Sequence, residues 1–139
     1  MNRQRFLPHA LVVLTLARLA LLPLTALSPV EAHAALCSQQ LAFWHPMTGP
    51  LLPLLMRLSS AVFGLNEFAL RLPAPLLMLG AGWLVWKLAL GLFDATTAAW
   101  AAVLFQVTPI VNVASVTFTH TTLAIAESAA LLALLRLAL

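Results

Sequence analysis

Charge is what this sequence has least of. Acidic and basic side chains make up 8% of its 139 residues, where soluble domains carry about a quarter. So thin a charged coat cannot solvate a globule of this size. With 63% hydrophobic residues and a mean hydropathy of +1.01, the chain reads as an integral membrane protein. Acids are scarcest of all: Glu31, Glu67, Asp94 and Glu127 are the whole set. That pool is too small for paired-carboxylate catalysis. No Ser-His-Asp or Cys-His arrangement is present, and no glycine-rich phosphate loop, internal repeat or low-complexity tract. The basic residues never cluster, which excludes the dense basic face a nucleic-acid partner needs. The lone cysteine, Cys37, cannot close an internal disulfide and says nothing about redox compartment. It reads as a small interfacial hydrophobe.

What is present is apolar length. A bilayer core takes about 20 apolar residues per helix, so the chain has room for about four crossings and little else. The expected fold class is an all-α membrane protein, one membrane domain over residues 1–139. Crossing helices are expected at about 7–27, 69–93, 97–116 and 122–139, with two extracytoplasmic interfacial helices at about 29–44 and 50–63. A cleaved signal peptide is the rival reading of the first segment, with Ala32-His33-Ala34 as its cleavage site. Arg18 and the length of the apolar run speak against it. An arginine inside a span needs a partner, and Glu127 on another span is the candidate mate.

The stretch between the first two apolar blocks is more polar. Ser28, Pro29 and Glu31 spell a helix start, with Ser28 as N-cap and Glu31 closing a capping box. Phe43 and Trp44 suit the headgroup level. The helix from Pro50 should stop at Gly64, and Asn66 should cap the next one, with Glu67 in its first turn. Trp83, Trp86 and Lys87 mark the far interface of the span at 69–93. Asp94 sits in a tight turn, and Pro109 and Asn112 interrupt the span at 97–116. Arg3, Arg5, Lys87 and Arg136 on one side outnumber Arg57 and Arg71 on the other, which puts the N-terminus in the cytoplasm. Residues 28–68 and 117–122 then share the extracytoplasmic face.

This layout resembles the N-terminal part of the GT-C membrane glycosyltransferases, family 39-like, the group of protein O-mannosyltransferases and aminoarabinose transferases. The matching residues are Arg18, then Val30-Glu31-Ala32-His33, Gly49-Pro50-Leu51, Gly64 to Phe68, and Arg71-Leu72-Pro73. Leu92-Phe93, Pro109 and Thr119 to Leu123 fall where the family has further fixed points. The resemblance covers nearly the whole chain but only about the first third of a typical member. It implies transfer of a sugar from a polyprenyl-phosphate carrier on the extracytoplasmic face, in a multi-pass protein of the bacterial inner membrane. It also exposes departures. The family's catalytic aspartate aligns with Val30, and a second acidic position aligns with His120 or Thr121.

A base must reach within about 3 Å of the proton it takes, and valine cannot. Glu31, the acidic neighbour, points about 100° away on a helix. It is the remaining catalytic candidate, against a purely local role in the capping box. Arg71 is the candidate for a lipid phosphate, as its fork suits phosphate oxygens; an interfacial anchor is the other reading. His33, His120 and Thr121 complete the candidate substrate-binding set. His33, His45 and His120 lie on the outer side, but their spacing matches no metal-ligand pattern. No metal and no cofactor is expected. The leading reading is a truncated or degenerate family 39-like glycosyltransferase module, inactive as an isolated chain. The alternative is a non-catalytic membrane subunit that packs against larger membrane partners.

Overall fold

The computed structural model describes residues 3–22, 27–39 and 49–138. Among them every regular element is a helix: α1 (Arg3–Leu21), α2 (Pro29–Gln39), α3 (Leu51–Phe63), α4 (Glu67–Arg71), α5 (Pro73–Leu90), α6 (Ala95–Val107), α7 (Pro109–Val116) and α8 (His120–Ala138). The all-α expectation holds. Phe43, Trp44 and His45 lie outside the described residues.

The ends flanking α3 and α4 carry the capping residues that the local sequence predicts. α3 stops at Gly64, whose φ of 82° suits a residue without a Cβ, and its N–H donates to the Ser60 carbonyl. Asn66 caps α4, its Oδ1 accepting from the Ala69 N–H at 2.7 Å. Asp94 caps α6 through the N–H groups of Thr96 and Thr97 and the Thr97 hydroxyl. Pro73 begins α5 directly after Leu72, whose φ of −50° and ψ of −36° keep the chain helical between α4 and α5.

α4 and α5 run on through Leu72 as a helix of 24 residues, Glu67–Leu90, long and apolar enough to cross a bilayer. The expected span at 97–116 is broken. α6 and α7 meet at Thr108 and Pro109 with a bend of 62°. Proline has no N–H, and its ring crowds the carbonyl four residues back; the Phe105 carbonyl turns instead to the Thr108 N–H at 3.3 Å. Counted as one, that bent pair is the second helix segment among the described residues that passes for a crossing by length and composition. The expected count of four goes beyond these two.

α5 is the centre of the bundle and packs chiefly against α6 and α8. Ala81, Gly82, Ala98 and Ala102 are buried, and such small residues let helix backbones approach closely. A second core joins α2, α3 and α4 to α5 and α8 around Leu52, Met56, Leu70 and Phe118.

The elbow between α6 and α7 explains Arg18. Glu127 is not its mate: Glu127 is exposed on α8. The Arg18 guanidinium enters the elbow instead, where it donates to the Gln106 side-chain oxygen, to the Gln106 carbonyl at 2.7 Å and to Asn112 Oδ1 at 2.9 Å. The correction has a physical reason. A proline break frees carbonyls at the negative end of a helix dipole, and those carbonyls suit a cation as a carboxylate would. Gln106 is held in turn by the Met78 carbonyl, 2.6 Å from its Nε2.

Candidate functional site

α2 begins as its sequence dictates. The Glu31 N–H donates to Ser28 Oγ at 3.3 Å, and Glu31 Oε2 accepts from the Ser28 N–H at 2.9 Å. That reciprocal box also turns the Glu31 side chain inward, where it is 0% exposed. There it meets Arg71, at the last residue of α4 and 1% exposed. The pair is a two-pronged fork: Nε to Oε1 at 2.9 Å and Nη2 to Oε2 at 2.8 Å. The Phe118 N–H adds a further bond to Oε1 at 2.8 Å. Arg71 Nη1 reaches the Leu22 carbonyl at 3.4 Å. One carboxylate thus ties the start of α2, the end of α4 and the connection between α7 and α8.

Burial pushes the Glu31 carboxyl up. The Arg71 hydrogen bonds, the Ser28 and Phe118 N–H groups and the Arg71 charge together outweigh it, so the group sits below its ordinary value. An ionised carboxylate has about four acceptor positions, and here all are taken. Offered by the sequence as a catalytic group, Glu31 has no lone pair turned toward an incoming proton. Arg71, offered as a phosphate ligand, faces the same interior carboxylate.

The other candidates lie on the surface. His33 is exposed on α2, its Nε2 3.7 Å from the sulfur of buried Cys37. His120 and Thr121 are exposed in the first turn of α8, not in the polar connection expected there. Val30 is 48% exposed, one step round the helix from Glu31. The structure therefore brings Glu31 and Arg71 together inside, and leaves His33, His120, Thr121 and Val30 outside that pair. An open apolar cleft of about 410 Å³ runs beside α2, between Ala35 and Leu36 on one side and Leu65 and Leu70 on the other, with Glu67 among its lining residues. Among the described residues no three His, Cys, Asp or Glu side chains stand together as metal ligands.

Two residues that matter escaped the sequence reading. Phe118 lies in a run of threonines and looked like loop, yet its ring is fully buried and its N–H completes the Glu31 shell. Gln106, near the end of α6, anchors Arg18. For Gln106 a usable signal existed, since a polar side chain at depth in a span faces protein.

The chain is strongly apolar and, among the described residues, all-helical, with polar groups gathered between its helices. Residues 45–139, more than half of the chain, match the family described as dolichyl-phosphate-mannose-protein mannosyltransferase. The chain belongs to that membrane-associated, family 39-like group of glycosyltransferases. No curated protein and no solved structure matches it. The matched region begins after α2, so Arg71, Gln106 and Phe118 fall inside it and their partners Glu31 and Arg18 fall before it.

Proposed function

We propose that the chain is a four-span glycosyltransferase module whose outer face, around the start of α2 and the start of α8, meets a polyprenyl-phosphate-linked sugar, and that it does not transfer that sugar. The observation that carries the reading is the closed state of its one well-placed carboxylate. Glu31 is fully bonded within the protein, and the neighbouring exposed position is Val30, which has no proton to give or take. In this reading Glu31 and Arg71 build the floor of the site. His33, His120 and Thr121 are its exposed polar groups and contact the donor's phosphate or sugar.

Incubation of the purified chain with a polyprenyl-phosphate sugar and an acceptor tests this. No transfer is expected; sugar transfer above the no-protein control overturns the inactive reading. Donor binding is the second readout. Replacing both His120 and Thr121 by Ala should weaken it by roughly tenfold, the scale of a lost hydrogen bond to a charged group. An unchanged affinity removes the α8 start from the site.

A further inference from the structure

At the opposite end of α5 the bundle carries two cations with no acid paired to them among the described residues. Arg136, near the end of α8, donates through Nη1 to the Lys87 carbonyl at 2.7 Å and to the Leu88 carbonyl at 3.4 Å. Its guanidinium lies directly over Gly91: a Cβ there would stand 1.3 Å from Nη2. Glycine at 91 is what admits it. Lys87 holds its ammonium over the Trp83 ring, 4.0 Å from the centroid. Both basic residues are exposed. The nearby acid, Asp94, spends its oxygens on the first turn of α6. Among the described residues neither cation has an ion pair, and only one nitrogen of Arg136 has a hydrogen-bond partner. Around them the surface is apolar and open: Trp83, Leu92, Phe93, Leu132 and Leu135 are all exposed, from 45% to 63%.

We propose that Arg136 and Lys87 form a docking site for the phosphodiester head of an anionic bilayer lipid, its chains lying on the flanking apolar side chains. The unused nitrogens of a guanidinium pinned by helix carbonyls match phosphate oxygens two at a time. An ammonium held over an indole at the membrane interface adds the second charge. A free phosphate would use the cations and leave the apolar surround idle; a lipid uses both. The proposal rests on the membrane reading of the chain but not on its glycosyltransferase role.

The full chain, purified in mild detergent and returned to bilayer nanodiscs of equal phosphatidylglycerol and phosphatidylcholine, supplies the test. Native mass spectrometry should show phosphatidylglycerol retained in preference. Lys87→Gln, which touches no backbone bond, should lower that preference by about fivefold, the scale for one basic residue at an anionic surface. Lys87→Gln with Arg136→Gln should abolish it, while Arg57→Gln on α3 leaves it unchanged. Excess inorganic phosphate should not displace the lipid. Equal retention of both lipids, equal loss in the Arg57 variant, or displacement by phosphate each overturns the proposal. A chain that stays in solution without detergent or bilayer overturns the membrane reading instead, and the two failures are told apart on that point.

Discussion

Glu31 shows how one side chain does local and long-range work together. Its capping box with Ser28 is a matter of three residues; its fork with Arg71 spans 40 positions and its bond from Phe118 spans 87. Breaking a buried pair by removing one partner leaves the other charge unanswered, at a cost of about 3–5 kcal/mol. Glu31→Gln should lower the stability of the detergent-solubilised chain by that order in a thermal or denaturant unfolding measurement. The same residue sets a pH dependence. Its folded pKa lies below the unfolded one. The stabilisation is therefore complete above the ordinary glutamate value of about 4.3, and is lost as pH falls through the lower folded value. An unfolding series from neutral pH downward should be flat to about 5 and then decline, and Glu31→Gln should remove that part of the decline.

At the scale of elements, three of the six arginines share a habit. Arg18 serves the carbonyl end of α6, Arg136 that of α5, and Arg71 reaches the carbonyl of Leu22, just past α1. Each cation meets the negative end of a helix other than its own. That is an economical arrangement in a chain with four acids, because carbonyls left over at helix ends substitute for carboxylates. The elbow between α6 and α7 depends on it. Arg18→Met removes the donor for two Gln106 oxygens and Asn112 Oδ1, and should destabilise the bundle by about 1–3 kcal/mol. Gly82 tests the same network from behind. A Cβ there would sit 2.3 Å from Gln106 Nε2. Gly82→Ala should push the flexible amide off the Met78 carbonyl and cost about 1 kcal/mol, with the helices staying in place. An unfolding midpoint equal to that of the parent would show that the amide finds another acceptor.

At the scale of the whole molecule, the proposed orientation places α3 outside and the Asp94 turn in the cytoplasm. Ala61 on α3 and Thr96 beyond the turn are both exposed, and native Cys37 is buried. Ala61→Cys should therefore react with an impermeant maleimide on intact cells, and Thr96→Cys only after lysis. The reverse pattern inverts the topology and moves the proposed donor site to the wrong face. The family match covers α3 to α8.

Local chemistry was legible from residue order alone. Ser28, Gly64 and Asn66 act at helix ends through contacts three or four residues away, and a short range leaves a short pattern; Asp94, read as a tight turn, caps α6. The all-helical class likewise follows from the apolar segments, and the motifs in their order resemble the family that the match over residues 45–139 shows. Partner choice did not. Arg18 finds Gln106 across 88 positions and Arg71 finds Glu31 across 40. No periodicity records which helices lie side by side. Packing α5 against α6 and α8, and bending the chain at Pro109, decided which oxygens those cations would meet. That packing set Glu31 against Arg71 and the Phe118 N–H.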